Sequence, residues 1–252
     1  MQRSGCEMEA IGVDIGGSGV RVGRVDVSTG EVLGEILRRP HGGQEHCHSI
    51  LGELEQLLER TPEGLPVGLG FPGVVKGTRV HTAPNLHPSW AGMDLAVALR
   101  CSNLSALNDA DAAAEAERCL GAAQGESGTV LTLTIGTGLG SAVHRKGVLV
   151  PNLELGLLPH PTRGGLIETH ASGRARREEG LDLRAWAARL QEALDLYEGW
   201  LNPDLIVLAG GITESWEQWS DWLTTRATLQ RARFGADAGT IGAAVSAAAQ
   251  RT

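Results

Sequence analysis

Lysine is scarce in this chain of 252 residues: only Lys76 and Lys146 occur, so nearly all of its positive charge is arginine. Neither lysine follows a glycine, which excludes the Gly-Lys-Ser/Thr loop of P-loop nucleotide-binding proteins. The formal net charge is −8. This acidic balance argues against a broad basic surface, so we expect no nucleic-acid partner.

Cysteine is also scarce, and long apolar runs are absent from the sequence. The four cysteines, Cys6, Cys47, Cys101 and Cys119, form neither a C-x-x-C pair nor the framework of a disulfide-rich secreted domain. No apolar run reaches the length of a membrane span, and the N-terminus lacks the apolar stretch of a secretory signal. We therefore expect a reduced, soluble, cytoplasmic protein with no membrane partner.

Glycine, by contrast, is abundant, and the 35 glycines gather at a few places. A predicted strand, a glycine turn and a second strand follow one another twice, over residues 9–15, 16–19 and 20–27 and over residues 129–135, 136–140 and 140–150. No low-complexity linker separates the two halves. The pattern predicts an α/β protein of two similar lobes facing a cleft, divided as 1–108 and 109–238, with helix 239–252 returning to the first lobe.

The remaining periodicities complete both lobes. Apolar patterning predicts further strands over 31–38, 66–70, 104–107 and 204–209, and helices over 49–60, 109–120, 174–201 and 239–249.

The two glycine turns are candidate phosphate sites, because successive backbone N–H groups around glycine form a nest for anions. The alternative is two ordinary hairpin turns. A Rossmann fingerprint does not fit, since each turn leads into a strand rather than a helix. Asp14 ends the first strand, where it could hold Mg²⁺ through water. The predicted phosphate-binding residues are Asp14, Gly16, Gly17, Ser18, Gly19, Thr137 and Gly138.

Asn108 and Asp109 stand where strand 104–107 meets the following helix. A carboxylate at a helix N-terminus is stabilised by the helix dipole and can accept a proton from an alcohol nucleophile. The alternative is a helix N-cap, a common role for Asn and Asp. The position of this pair between two phosphate-type hairpins favours Asp109 as a catalytic base. We interpret Asp111 as a solvated helix acid or a helper.

Taken in order, the motifs resemble the ROK family of sugar kinases and repressors within the actin/hexokinase fold, and most of all its polyphosphate glucokinase branch. The resemblance covers nearly the whole chain. The matching stretches are Asp14–Gly19, Gly70–Val75, Ala83–Leu86 with Trp90, Leu107–Asp111, Ile135–Gly140, Glu154–Gly156, Ala171–Leu181 and Ala209–Ile212.

The resemblance implies a two-lobed actin-like ATPase fold of the duplicated ribonuclease H type. It implies a kinase that phosphorylates the 6-hydroxyl of a hexose, glucose before others, from polyphosphate or ATP with Mg²⁺, as a homodimer. Asp109 would deprotonate that hydroxyl. The sugar would be bound by Asn85, Asn108, Glu154, Pro72 and Gly73, and a nucleoside, if present, would lie beside Gly210 and Gly211.

Two departures from the family pattern stand out. Leu157 occupies the position of a histidine that contacts the sugar in the family, so that contact is missing or supplied from elsewhere, for example by His160. No cysteine follows Cys119, so the zinc site of many members cannot form. The first departure keeps a non-catalytic sugar sensor as the alternative function. An actin-like filament ATPase is less favoured, because the Asn108, Asp109 and Glu154 elements suggest a sugar pocket.

Three further groups of residues have competing interpretations. The segment with His41, His46, Cys47 and His48 resembles a metal cluster, but adjacent side chains diverge, so we interpret it as a polar loop. Five of the six tryptophans, all beyond residue 185, are interpreted as core or dimer contacts rather than sugar platforms. A basic group could steer polyphosphate or could be an ordinary salt-paired surface, namely Arg145, Lys146, Arg163, Arg174, Arg176 and Arg177.

Overall fold

The structure, a computed structural model, describes residues 9–250, so Cys6 and the last two residues of the predicted C-terminal helix lie outside the described part. The chain forms two compact units. The first comprises residues 1–112 and 239–252, and the second comprises residues 113–238. The division of the chain at residue 108 stays a prediction.

Thirteen strands and seven α-helices are assigned within residues 9–250. The strands are β1 (Glu9–Gly16), β2 (Gly19–Asp26), β3 (Glu31–Val32), β4 (Leu37–Pro40), β5 (Val67–Phe71), β6 (Val75–Lys76), β7 (Arg79–Val80), β8 (Leu104–Asn108), β9 (Thr129–Ile135), β10 (Leu139–Arg145), β11 (Val148–Val150), β12 (Leu205–Ala209) and β13 (Thr228–Arg231). The helices are α1 (Cys47–Leu58), α2 (Leu95–Ala98), α3 (Asp109–Leu120), α4 (Glu168–Ala171), α5 (Gly173–Glu178), α6 (Leu183–Leu201) and α7 (Ala238–Ala249).

The first unit is built on a sheet in the order β3-β2-β1-β5-β8, with β4 also paired to β2. Strands β1 and β2 are antiparallel, whereas β1, β5 and β8 run parallel. Strand β5 is buried along its whole length, as expected for a parallel strand covered on both faces. Its Phe71 packs edge-on against the fully buried Trp90 at a ring-centroid distance of 5.1 Å.

The second unit repeats this topology. Its sheet has the order β11-β10-β9-β12-β13, with β9 and β10 antiparallel and β9, β12 and β13 parallel. Helix α6 supplies Trp186, Leu190, Leu194 and Tyr197 to the core of this unit, at the spacing of one helix face. The repeated strand–glycine turn–strand pattern of the sequence therefore corresponds to one sheet topology built twice.

Helix α7 packs against the first sheet at very short range. A Cβ atom on Gly12 of β1 would lie 1.8 Å from the carbonyl oxygen of Thr240, and one on Gly68 of β5 would lie 1.8 Å from that of Ala243. Only glycine leaves room for such a contact between a helix backbone and a sheet. These two strand positions therefore set how closely α7 can approach.

Several predicted elements were wrong in detail. The helix predicted over 174–201 is two helices, because Gly180 takes a φ of +63° and Asp182 caps α6 by accepting from the N–H of Ala185 at 2.7 Å. The strand predicted over 31–38 is divided into β3 and β4, with Gly34 at a φ of +99° between them. Helix α1 begins two residues before the predicted start at residue 49. Strand β13 was not predicted, because its four residues include only one apolar side chain.

Helix α3 is joined to β10 by a hydrogen-bonded cluster of three side chains. Glu115 accepts hydrogen bonds from Nε2 of the buried His144 at 2.9 Å and from Nη2 of Arg118 at 2.6 Å. Burial by itself raises the pKa of Glu115, but the hydrogen bonds from His144 and Arg118 outweigh it and lower the pKa to about 2. The carboxylate of Glu115 therefore stabilises the folded second unit.

This cluster predicts a pH dependence of stability. Because the folded pKa of Glu115 lies below its usual value of 4.5, its contribution is complete above pH 4.5 and is lost as the pH falls towards 2. At about 1.4 kcal/mol per pKa unit, the loss is about 3 kcal/mol at most. Urea unfolding of the wild type and of Glu115→Gln between pH 5 and 3 should show a smaller pH dependence in the variant. Parallel curves for the two proteins would contradict this assignment.

Within residues 9–250, no helix combines the length and the apolar character that crossing a membrane requires.

Candidate active site

The first glycine turn joins β1 to β2 in the first unit. Gly16 and Gly19 are the last paired residues, and Gly17 and Ser18 form the turn between them. A Cβ on Gly19 would lie 2.9 Å from the carbonyl oxygen of Arg39 in β4, so glycine is needed there for packing. Ser18 is exposed at the tip of the turn, where its hydroxyl is accessible to a ligand.

Asp14 lies two residues before this turn, near the end of β1. Its carboxylate is 3.7 Å from Nη1 of Arg21 on β2, and 15% of its side chain is exposed. A Cβ on Gly239, the second residue of α7, would lie 3.0–3.1 Å from the three carboxyl-group atoms of Asp14. A partly exposed carboxylate next to the first glycine turn, a candidate phosphate site, suits a hydrated Mg²⁺, whose preferred ligands are oxygens.

The segment after β4 connects the first turn to Asn85, a link that sequence reasoning missed. The N–H of His41 donates to the carbonyl oxygen of Ser18 at 3.1 Å. A Cβ on Gly43 would lie 3.0 Å from the carbonyl oxygens of both Asn85 and Gly17. The candidate sugar residue Asn85 is therefore close to the candidate phosphate turn.

His41 itself is a second finding in this segment. Its side chain is only 8% exposed, and neither ring nitrogen has a hydrogen-bond partner within the described residues. Because buried polar groups are normally hydrogen-bonded, such an imidazole next to the first turn is a candidate ligand contact. The interpretation of residues 41–48 as a polar loop is wrong for His41 and for the fully buried Cys47.

Asn108 and Asp109 form the junction of β8 and α3. The Oδ1 atom of Asn108 accepts from the N–H groups of Ala110 and Asp111 at 2.9 and 3.1 Å, so Asn108 caps the helix. Its amide nitrogen donates to the carbonyl oxygen of Gly73 at 3.2 Å. Asn108 thus positions the segment of Gly73, a candidate sugar residue, at the same point where Asp109 begins the helix.

Asp109 is half-buried, and its Oδ1 atom accepts from the N–H of Ala110 at 2.8 Å. This contact and the N-terminus of α3 both favour the ionised carboxylate. The neighbouring Gly73 is buried and has no room for a side chain, because a Cβ there would lie 2.1 Å from the carbonyl oxygen of Thr82. Pro72, beside it, is half-buried.

The interpretation of Asp111 as a solvated acid was wrong. Its side chain is 1% exposed, because α3 turns this position towards the interior while Asp109 stays at the helix start. Because the two residues are two positions apart and a helix turns by about 100° per residue, their side chains point about 200° apart around the helix axis.

The second glycine turn joins β9 to β10 in the second unit. The N–H of Gly136 donates to the carbonyl oxygen of Gly138 at 3.1 Å, with Thr137 between them. A Cβ on Gly136 would meet nothing within 4 Å, so the space above this glycine is open to a ligand. Glycine is not needed there for protein packing, which favours the phosphate interpretation over an ordinary turn.

Glu168 anchors the second turn and was not identified from the sequence. Its buried carboxylate accepts from the N–H of Leu139 at 3.2 Å and lies 3.8 Å from Nη2 of Arg174. The start of α5 packs on the same turn, since a Cβ on Gly173 would lie 2.7 Å from the carbonyl oxygen of Gly136. The contacting residues are distant in sequence, so no local pattern predicts these contacts.

Glu154 is held in place by Ser141, a buried residue that the sequence analysis also missed. The Ser141 hydroxyl donates to the carbonyl oxygen of Leu153 at 2.8 Å and accepts from the N–H of Leu155 at 2.9 Å. A Cβ on Gly156 would lie 2.1 Å from the carbonyl oxygen of Leu139, the residue after the second turn. Gly156, two residues after Glu154, is therefore packed against the residue that follows the second turn.

Gly210 and Gly211 follow β12 and behave differently. Gly210 has a φ of +93°, and a Cβ there would lie 2.5 Å from the carbonyl oxygen of Ile135, so its conformation and packing both require glycine. A Cβ on Gly211 would meet nothing within 4 Å. Gly211 thus leaves open space close to the base of the second turn.

His160, the suggested substitute for the family histidine at the position of Leu157, is buried, and its contact with the sugar stays a prediction. Its Nδ1 atom accepts from the N–H groups of Thr162 and Arg163 at 3.3 and 3.1 Å, and its Nε2 atom lies 3.7 Å from Glu192. Burial and the charge of His170 lower the pKa of His160, and the opposing effect of Glu192 is smaller. The Nδ1 atom is thus engaged within its own loop, and the Nε2 atom faces Glu192 of α6.

Two arginines of the basic group lie beside the second turn. Nη1 of Arg177 is 3.6 Å from the point where a Cβ on Gly173 would stand, the same point that lies 2.7 Å from the Gly136 carbonyl oxygen. Arg174 pairs with the turn anchor Glu168. By contrast, Arg163 forms a bidentate pair with Glu192, as expected for an ordinary surface salt bridge.

Two of the five tryptophans beyond residue 185 are core residues. Trp186 and Trp219 are at most 1% exposed and pack edge-on with ring centroids 5.1 Å apart. Trp200 and Trp222 are about half exposed. The core interpretation is correct for the buried pair.

Several known proteins are similar to this chain. The ROK family model matches residues 10–151. The polyphosphate glucokinase of Mycobacterium tuberculosis strain H37Rv is 32% identical over 98% of this chain and 94% of its own length. The crystal structure of the inorganic polyphosphate/ATP-glucomannokinase from Arthrobacter sp. strain KM is 36% identical, with a TM-score of 0.89 over 96% of this chain and 99% of that one.

A second solved structure extends the likeness. The ROK hexokinase from Thermus thermophilus is 27% identical, with a TM-score of 0.71 over 97% of this chain and 99% of that one. These similarities, with the sheet topology built twice, confirm the predicted actin-like ATPase fold. The family match spans more than half of the chain and the relatives align along nearly all of it, so the chain belongs to the ROK family.

Proposed function

We propose that this protein is a hexose kinase that transfers a phosphoryl group from polyphosphate or ATP to the 6-hydroxyl of glucose. The observation that carries the proposal is the junction of β8 and α3. There Asn108 caps the helix and fixes the carbonyl group of Gly73, and Asp109 follows at the first helical position. The similar proteins named as polyphosphate glucokinase and polyphosphate/ATP-glucomannokinase support the choice of sugar and donor.

In this proposal Asp109 is the general base. Its carboxylate accepts the proton of the sugar hydroxyl as that oxygen attacks the terminal phosphorus of the donor. The hydrogen bond from the N–H of Ala110 orients the carboxylate before the sugar binds.

The sugar contacts come from backbone segments that the fold holds rigidly. Asn85, Asn108, Pro72 and Gly73 belong to the first unit, and the two buried contacts of Gly73, with Asn108 and Thr82, fix its position. Glu154 belongs to the second unit, where Ser141 holds the backbone on both sides of it. Rigid positioning of this kind reduces the entropy that sugar binding must offset.

The donor phosphates are assigned to the two glycine turns. Gly16, Gly17, Ser18 and Gly19 offer backbone amides and a hydroxyl in the first unit. Thr137 and Gly138 do so in the second, where Gly136 leaves open space. Gly210 and Gly211 would border the nucleoside of ATP, and only Gly211 leaves open space there.

Mg²⁺ fits the carboxylate of Asp14, which is partly exposed next to the first turn. The Arg21 guanidinium at 3.7 Å leaves Asp14 suited to hold the ion through water rather than as a sole direct ligand. A bound Mg²⁺ would neutralise charge on the donor phosphates.

A substrate matrix tests the proposal. Glucose, mannose and an amino sugar are each incubated with Mg²⁺ and either ATP or polyphosphate, and the sugar phosphate formed is measured. Glucose 6-phosphate formation from polyphosphate is the expected result. Sugar binding without product in any combination would contradict the proposal and favour the sensor, which the Leu157 position keeps as the alternative.

The arginines near the second turn predict a difference between donors. Removing the exposed Arg177 should raise KM for polyphosphate about 5-fold, equivalent to roughly 1 kcal/mol, because an extended polyanion loses one cation contact. KM for ATP should change less than about 2-fold, since the nucleoside end provides binding that Arg177 does not touch. Steady-state kinetics of Arg177→Ala with both donors measures this.

A matched control is Arg226→Ala, which removes an exposed arginine that lies 3.9 Å from Glu198. It should leave KM for both donors unchanged. Equal increases in KM for polyphosphate in the two variants would show that only the loss of positive charge matters, through long-range electrostatics. That result would contradict a local role for Arg177.

Cytoplasmic location and a homodimer are part of the same proposal. Cys47, Cys101 and Cys119 are free thiols, as expected in a reducing compartment. Val148 and Trp200 are large exposed apolar side chains that a second copy could cover.

A further inference from the structure

His46, Cys47 and His48, at the start of α1 in the first unit, bring three metal-binding atoms together. The Nδ1 atoms of His46 and His48 are 3.2 Å apart, and the Cys47 sulfur is 3.9 and 3.5 Å from them. All three donor atoms lie within 4.8 Å of one another. The prediction that these adjacent side chains diverge was wrong.

The convergence has a local cause. His46 is the N-cap of α1, with extended backbone angles, and its Nδ1 atom turns back towards the N–H of His48 at 3.4 Å. Cys47 points inward and is fully buried, and its sulfur lies 3.4 Å from the carbonyl oxygen of Ser89. The two exposed imidazoles stack at a centroid distance of 5.0 Å, with an angle of 20° between their planes.

The distances match a tetrahedral zinc site. Bond lengths of about 2.0 Å to nitrogen and 2.3 Å to sulfur in a tetrahedron place two nitrogens about 3.3 Å apart and a nitrogen and a sulfur about 3.5 Å apart. The observed separations of 3.2, 3.5 and 3.9 Å agree with these values within a few tenths of an ångström. One thiolate and two imidazoles suit Zn²⁺ and disfavour Mg²⁺, which prefers oxygen ligands.

We propose that His46, Cys47 and His48 bind one Zn²⁺ through Nδ1, Sγ and Nδ1, with water in the fourth position. Binding releases the thiol proton of Cys47 to solvent, and each imidazole keeps its proton on Nε2. The cap contact from the N–H of His48 to Nδ1 of His46 and the hydrogen bond that the Cys47 thiol donates to the carbonyl oxygen of Ser89 are both given up. This site contains none of the residues assigned to sugar or phosphate, so it does not depend on the proposed kinase activity.

The surroundings give the site a supporting layer. Ser89 Oγ accepts from the N–H of Cys47 at 3.0 Å and is 2.8 Å from Nδ1 of His87, whose ring lies 5.3 Å from that of His46. The hydrogen bond from the N–H of Cys47 to Ser89 already connects the start of α1 to the segment that follows Asn85, and a metal bound only by folded residues 46–48 would stabilise the folded state. We expect bound Zn²⁺ to raise the thermal unfolding temperature.

Metal titration of the full chain tests the proposal. Chelator-treated, reduced protein is titrated with Zn²⁺ by calorimetry, and with Co²⁺ as a spectroscopic stand-in for Zn²⁺. One equivalent of Zn²⁺, a thiolate-to-Co²⁺ charge-transfer band and the visible bands of tetrahedral Co²⁺ are expected. Failure of Zn²⁺ to bind, or a Co²⁺ adduct without the thiolate band, would overturn the proposal.

Two variants locate the site, and two controls match them. Cys47→Ser should abolish the thiolate band, and Cys47→Ser and His48→Gln should each weaken Zn²⁺ binding by at least about 10-fold. Cys101→Ser and His81→Gln, which alter a thiol and an exposed imidazole elsewhere in this unit, should bind like the wild type. Because His48 is exposed, its variant stays informative if Cys47→Ser fails to fold. Unchanged binding in His48→Gln would overturn the assignment.

Discussion

An Asp109→Asn variant is expected to lose about 10²–10⁴-fold in kcat, because it removes the group that accepts the proton of the sugar hydroxyl. Asparagine keeps an oxygen that can accept from the N–H of Ala110, as Oδ1 of Asp109 does at 2.8 Å. The cap of α3 is also kept, since Asn108 supplies it. The loss should therefore appear in turnover while the affinity for glucose changes little.

The measurement pairs steady-state kinetics with calorimetric binding of glucose. Asp182→Asn is the matched control, because Asp182 caps α6 through the N–H of Ala185 and its replacement also removes one charge at a helix start. Its kcat should equal that of the wild type. A kcat of Asp109→Asn near the wild-type value would exclude Asp109 as the base, whereas loss of glucose binding would indicate a structural role instead.

The second large effect concerns stability. Gly68→Ala is expected to destabilise the first unit by about 3 kcal/mol or more, at or above the upper end of the usual overpacking range. The new methyl group would lie 1.8 Å from the carbonyl oxygen of Ala243 and 2.4 Å from its carbonyl carbon. Both atoms belong to the backbone of α7, so no side chain can rotate away to relieve the contact. Gly12→Ala meets Thr240 in the same way.

Gly52→Ala provides the control for this substitution. Gly52 lies inside α1, and a Cβ there would meet nothing within 4 Å. Alanine should stabilise that helix by about 0.5–1 kcal/mol, because glycine is the poorer helix former. Urea unfolding should thus show a lower free energy of unfolding for Gly68→Ala and a higher one for Gly52→Ala, although both variants add the same methyl group. A Gly68→Ala variant as stable as the wild type would show that α7 does not pack this closely on β5.

The part of the fold that depends on short-range pattern was predictable. The repeated strand–glycine turn–strand pattern predicted both sheets, and α3 begins and ends at the predicted residues 109 and 120. Local rules failed where one residue interrupts a periodic stretch. At Gly180 the apolar spacing continues, but a φ of +63° ends α5, and Asp182 starts α6 as a new helix.

The candidate site divides in the same way. Ordered motifs identified Asp109, Asn108, Glu154 and the glycine turns, since each is a short run of adjacent residues. Ser141 and Glu168 could not be found by this means. Each acts on residues more than ten positions away, and a single serine or glutamate carries no signal of what it will contact.

By itself, the amino-acid sequence determines the family, the two-fold repeat of the sheet and the residue types available for phosphate and proton transfer. Tertiary structure alone decides that Gly12 and Gly68 seat α7 and that Asp111 is buried while Asp109 stays half-exposed. It also decides that His46, Cys47 and His48 converge rather than diverge. The physical reason is that periodicity reports which face of an element is apolar, whereas packing depends on atoms that only the folded chain brings together.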